Sequence, residues 1–181
     1  VSARKTAITV ASAAAIAAAV PAVKAYEGLW LTTKVDRVGT GQPCTGGYGE
    51  TENVRCGETH TEKYWSDRLA QRLPEYDAKI APCIHVDLPD NTRAALISAA
   101  YNAGPGAVCR SPMVAKMNAG DIRSGCESFL TKDAQGHYTG WYIRARGRVV
   151  QGLINRRANE RKLCLSGLDQ PKPVKKAWWQ K

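Results

Sequence analysis

Eighteen consecutive residues without a charge, Thr6 to Val23, stand near the start of this 181-residue chain; nine are alanine, with Arg4-Lys5 ahead and Lys24 behind. A cationic flank followed by an apolar run is the pattern of an export segment. As a helix, at 1.5 Å per residue, the run would reach ~27 Å, just enough to cross a bilayer core. Its alanines, Thr9, Ser12 and Pro21 make it only weakly apolar, so it should enter a membrane and hold there poorly. Two outcomes stay open: cleavage after Val23-Lys24-Ala25, so that the mature chain starts at Tyr26, or an uncleaved anchor that leaves the membrane slowly. A lysine beside the cleavage site and the weak apolarity favour release without cleavage. A buried Ala-rich core helix is the weaker reading, because the run lacks a polar stripe at helical period. Val1 is read as the literal translation of a GTG start codon, an expectation under which the chain is the complete gene product.

Export also decides how the six cysteines are read. Cys44, Cys56, Cys83, Cys109, Cys126 and Cys164 include no C-x-x-C pair, and His60, His85 and His137 show no H-x-x-x-H spacing. Disulfides in an oxidising compartment are expected, with no metal and no cofactor. Proximity and the coarse layout suggest Cys44–Cys56, Cys109–Cys126 and Cys83–Cys164. The net charge of +10 favours polyanionic partners, but neither a zinc finger nor a stacking-aromatic RNA motif is evident, and nucleic acid is not expected. The length fits one domain with short appendages, and a monomer is expected.

Residues 24–34 read as the end of the N-terminal helix or a short separate one. Gly39, Gly41, Pro43, Gly46, Gly47, Gly49 and Gly57 then crowd together, which predicts turns and a small hairpin sheet. Thr59 or Thr61 should cap a helix through Ile80, with Trp65, Leu69 and Leu73 four apart; beyond it the chain reads as nearly all α. Asp90 could cap a helix through Tyr101 ended by Gly104, Ser111-Pro112 opens another closed by Gly120, and Asp121 to Thr131 is a shorter candidate. A last helix from about Arg148 to Leu165 puts Val150, Leu153, Ile154 and Ala158 on its apolar face. Arg156, Arg157 and Arg161 read as its solvated face, and Gly167 as its stop. Residues 168–181, with Trp178-Trp179 among lysines, read as a basic tail.

Breaking a glycosidic bond needs one carboxyl to protonate the leaving oxygen and a second, ionised, to assist the attack. Glu27 sits among Tyr26, Leu29, Trp30 and Leu31, and Asp36 follows nine positions on beside Arg37, so the two stand in different surroundings. Spacing alone leaves them equally readable as a solvated pair. Glu27-Gly28, Asp36 and Thr45-Gly46-Gly47-Tyr48-Gly49, followed by the block 95–109, by Lys116-Met117-Asn118-Ala119-Gly120-Asp121 and by the run 152–161, together resemble the phage-type lysozymes over most of 26–167. The N-terminal arrangement resembles the signal-anchor-release endolysins.

The resemblance implies an α+β fold, a mainly helical lysozyme-like domain with a small antiparallel β-hairpin sheet. Segment 1–25 would be the signal-anchor, 26–167 the catalytic domain and 168–181 the tail. It implies an inverting N-acetylmuramidase acting on bacterial peptidoglycan for host lysis. The enzyme would be exported to the host periplasm and held at first in the inner membrane through residues 6–23. Glu27 would be the general acid, Asp36 the carboxylate that activates water and Thr45 a hydroxyl positioning that water; Tyr101, Asn102, Arg146 and Arg148 could line the glycan groove. Two departures matter: eight residues separate Asp36 from Thr45, more than is usual, and Glu50 stands where a histidine is usual. Glu50 is therefore a second candidate for the water-activating carboxylate and Thr51 a weaker one for the hydroxyl. The rival readings are a lytic transglycosylase with one glutamate and a non-enzymatic cationic protein that disrupts envelopes.

Overall fold

In the computed structural model, which describes residues 10–36 and 43–169, helix α1 (Ala13–Lys24) starts where Ser12, in extended conformation, accepts the Ala15 N–H on its hydroxyl. The expectations for Arg4-Lys5, for Gly39 and Gly41, and for Trp178-Trp179 lie outside the described residues. Ala15, Ala19 and Val23, spaced by four, are wholly buried against helix α3 (Asp90–Ala103), whose residues Thr92 to Ala100 are buried on every side. Small side chains on both helices allow a close approach. The alanine run, read from the sequence chiefly as an export segment, thus contributes a core helix. No helix among the described residues is long and apolar enough to cross a membrane.

Polar contacts fasten both ends of α1. The Ala11 N–H donates to Asp77 at 2.7 Å, where the buried Arg93 also donates at 2.5 Å, and the Ser12 hydroxyl donates to Asp90 at 2.5 Å. At the other end Lys24 Nζ reaches Glu62 at 2.9 Å and Ser66 at 3.0 Å.

The helix expected over 24–34 is overturned past Ala25. Strand β1 (Trp30–Val35) follows Gly28 and pairs antiparallel with β2 (Cys44–Gly47), Lys34 facing Thr45 and Val35 facing Cys44. Its β-branched and aromatic residues suit a pleated surface better than a helix. The hairpin lies on Trp65, buried on helix α2 (Glu62–Ile80): a Cβ at Gly46 or Gly47 would come within 2.8 Å of the indole, so only glycine admits that approach.

Thr61 is the cap of α2, and Trp65, Leu69, Leu73 and Ile80 form its buried stripe. A 3₁₀ turn (Ala81–Cys83) leads towards α3, which Gly104 ends at φ 86°, and α4 (Pro105–Cys109) follows. Helices α5 (Pro112–Asn118) and α6 (Ile122–Glu127) are capped by the Ser111 hydroxyl and the Asp121 carboxylate.

Between α6 and the closing helix the nearly all-α reading meets an exception. Two short antiparallel pairs stand there, β3 (Leu130–Lys132) with β4 (Tyr138–Gly140) and β5 (Arg144–Ala145) with β6 (Arg148–Val149). Strands of two or three residues carry too few alternations to be read as a period. Helix α7 (Gln151–Ser166) buries Ile154, Arg156, Arg157, Glu160 and Cys164, whereas Val150 is exposed. Arg156 and Arg157, expected on a solvated face, are therefore inside, while Arg161 stays partly exposed.

Three disulfides join Cys44–Cys56, Cys83–Cys109 and Cys126–Cys164. The first is as expected. The pairs Cys109–Cys126 and Cys83–Cys164 are corrected: the 3₁₀ turn brings Cys83 to α4, with Cα atoms 5.6 Å apart, and α6 lies against α7, with Cys126 and Cys164 5.4 Å apart.

Candidate active site

Glu27 follows α1 directly, its N–H donating to Val23 O at 3.1 Å, so the packing of α1 fixes where its carboxylate lies. Although its sequence neighbours are apolar, the carboxylate meets a guanidinium. Arg156 Nη1 donates to Glu27 Oε1 at 2.6 Å, Nε to Glu160 at 3.1 Å and Nη2 to Ser98 O at 3.2 Å. Glu160 also accepts the Ser98 hydroxyl at 2.8 Å and a bond from Arg157, which reaches on to the Asn102 side chain and lies over the Trp141 ring. Arg156, Arg157 and Glu160 are at most 3 % exposed. Such charges persist only when paired and hydrogen-bonded, as these are.

The other wall comes from the segment after β2. Gly49, at φ 90°, passes so close that a Cβ there would stand 4.0 Å from Glu27 Oε2 and 3.8 Å from the Tyr101 hydroxyl. That hydroxyl donates to Tyr48 O at 2.6 Å, tying α3 to the turn, and burial pushes the Tyr101 phenol far above its ordinary range. Glu27 Oε1 is thus taken by Arg156, while Oε2 faces the turn.

Asp36 lies just past β1, half-buried, its N–H donating to Pro43 O at 2.8 Å. Thr45 faces Lys34, two residues before Asp36, and is buried; its hydroxyl finds no hydrogen-bond partner among the described residues. Glu50 is differently placed. One oxygen accepts the N–H groups of Thr51 and Glu52 at 3.0 and 2.8 Å, and the other faces Arg72 Nε at 3.3 Å and Arg68 Nε at 3.6 Å. Thr51 is exposed.

The structure therefore brings Glu27, Tyr101 and Gly49 together, and links Asn102 to Glu27 through Arg157, Glu160 and Arg156. Arg146 and Arg148 stand on the exposed β5–β6 hairpin. Sequence reasoning missed Arg156 and Glu160 as site residues. Their i, i+4 spacing on α7 is a signal, but an ion pair on a helix is ordinarily a surface feature.

The profile of the family described as Phage lysozyme matches residues 24–160. A SAR-endolysin of Bacteriophage PS119 is 34 % identical over 142 residues, covering 78 % of this chain and 77 % of its own. Among solved structures, the muramidase domain of SpmX from Asticaccaulis excentricus is similar at a TM-score of 0.65 and 25 % identity, covering 82 % of this chain and 95 % of the other. A mutant of P22 lysozyme has a TM-score of 0.66 at 25 % identity, covering 81 % and 94 %.

Proposed function

This chain belongs to the phage lysozyme family, and from that premise we propose that Glu27 is its general acid, Asp36 the carboxylate that activates water and Thr45 the hydroxyl that orients that water. The protein is a phage endolysin, a glycosidase that cleaves bacterial peptidoglycan. The observation that carries the assignment is the placement of Glu27, with Oε1 held by Arg156 and Oε2 turned towards Gly49. The proton then resides on Oε2 and passes to the glycosidic oxygen as the bond from the sugar's C1 to that oxygen breaks. A water attacks C1 from the opposite face and gives its proton to Asp36, inverting the configuration. The unpartnered Thr45 hydroxyl supports a water site beside Asp36. Glu50 is less suited, because its oxygens are engaged by two N–H groups and face two guanidiniums. Tyr101 and Asn102 line the groove in this reading, and the protein acts as a monomer.

The SAR-endolysin relative supports export to the host periplasm with initial anchoring in the inner membrane through residues 6–23. While the run is in lipid, α1 is not packed on α3 and Glu27 lacks its place; docking of α1 completes the site.

Digestion of purified peptidoglycan by wild type and Glu27→Gln, with the released ends identified, tests the assignment. Reducing-end N-acetylmuramic acid from wild type and none from the variant are expected. A 1,6-anhydro end would indicate a transglycosylase, and cell lysis by Glu27→Ala a non-enzymatic action.

A further inference from the structure

The segment between β4 and α7 carries features the glycosidase reading does not use. Tyr142 and Arg146 have φ of 57° and 48°, conformations that cost a bulky L-residue energy and that glycine or asparagine would adopt more easily. Arg146-Gly147 forms a tight two-residue turn between β5 and β6, with both residues at positive φ; asparagine is the usual first residue of such a turn. Both strained side chains point to the surface, Tyr142 being 52 % exposed. Strain kept at exposed positions suggests that the side chains themselves are needed.

Their surroundings have one character. Residues 134–159 contain five arginines and neither aspartate nor glutamate. Of these, Arg144, Arg146 and Arg148 are exposed, and Tyr138, Tyr142, Val149 and Val150 are exposed apolar side chains in the same stretch. A cleft of about 290 Å³ is lined by Gly140, Tyr142, Ile143 and Arg144, whose guanidinium also donates to Gly147 O at 3.2 Å. The patch is anchored, because Ile143 is buried, its carbonyl accepts the Val150 N–H at 2.9 Å and Arg157 lies over Trp141.

We propose that this hairpin docks the folded enzyme on an anionic lipid surface, the guanidiniums engaging phosphate headgroups while Tyr142 and the valines enter the interfacial layer. A carboxylated wall polymer would need the arginines but would leave the tyrosines and valines without a partner. A lipid interface uses both. This gives Arg146 and Arg148 a partner other than the glycan groove and does not depend on the roles of Glu27 or Asp36.

The test is co-sedimentation of the full chain, taken from the soluble fraction in which α1 is packed on α3, with vesicles of phosphatidylglycerol and phosphatidylcholine, and in parallel, on ice, with purified peptidoglycan. At about 5-fold per guanidinium, Arg144→Gln/Arg146→Gln/Arg148→Gln should bind the anionic vesicles roughly 10²-fold more weakly than wild type at low salt, with phosphatidylcholine alone binding neither. Tyr142→Gly, which relieves strain, should raise thermal stability and still weaken vesicle binding. Unchanged vesicle binding by the triple variant overturns the proposal. So does a loss confined to peptidoglycan, which would return these arginines to the wall polymer.

Discussion

Arg156 Nη1 lies 2.6 Å from Glu27 Oε1, joining residues 129 positions apart. The same guanidinium also serves Glu160 and Ser98 O, so its removal leaves a buried carboxylate short of a partner. Arg156→Met should lose about 3–5 kcal/mol of stability. Glu27→Gln keeps an acceptor for Arg156 and should change stability little while lowering turnover by ~10²–10⁴-fold or more. Denaturant unfolding and peptidoglycan digestion of both variants separate the two effects. Similar stability losses in both would show that Glu27 is chiefly structural.

Gly49 and Gly57 make a matched pair, with φ of 90° and 88°. Alanine at either should cost about 1–2 kcal/mol from the backbone alone. Only at Gly49 does the new methyl face Glu27 and Tyr101, since nothing lies within 4 Å of a Cβ at Gly57. Gly49→Ala should therefore lose activity well beyond its loss of stability, and Gly57→Ala should not. Equal activities at matched stability would remove Gly49 from the site wall.

Acid should loosen the end of α1 next to Glu27. Lys24, followed by Tyr48, holds the Glu62 carboxyl below its ordinary range by hydrogen bonding. A carboxyl depressed in the folded state adds stability above its unfolded pKa and loses it as pH falls through the folded value. Amide exchange at residues 23–27 should accelerate as pH drops through that window, after correction for intrinsic rates. In Glu62→Gln this extra acceleration should vanish, and its persistence there would assign it to another group.

Ala13, Ala14 and Ala17 are exposed on α1, opposite the face that packs on α3. Leucine at these positions raises affinity for lipid without touching the core. Membrane fractionation should find the triple-leucine protein retained, with lysis delayed, while its detergent-purified form digests peptidoglycan normally. Release and lysis on schedule, or a wild-type mature chain starting at Tyr26, would contradict the anchor reading.

Much of the frame was legible because caps and glycine stops are local chemistry. Thr61, Ser111 and Asp121 cap their helices by side-chain bonds, and Gly104 ends α3. The role of α1 was obscured because alanine on every side gives no polar stripe to reveal which face is buried. Arg156 and Arg157 read as solvated because a sequence window cannot show that Ser98, Asn102 and Glu27 arrive from elsewhere to pair with them. Residues 30–34 read as helical because their apolar side chains continue those before them, and the partner strand starts only at Cys44. The disulfide pairing of the helical part depended on which helices meet, which cysteine spacing does not encode.

The three bridges link each cysteine to the next one along the chain: 44 to 56, 83 to 109 and 126 to 164. None interleaves with another. For a polypeptide threaded N-terminus first into an oxidising space, every thiol meets its proper mate as the next thiol to emerge. Indiscriminate oxidation in order of arrival then yields the native pattern, and such a chain has little need of an isomerase. The nested alternative, with 83 waiting for 164 while 109 and 126 pass, would need a thiol kept unreacted until the last helix was delivered.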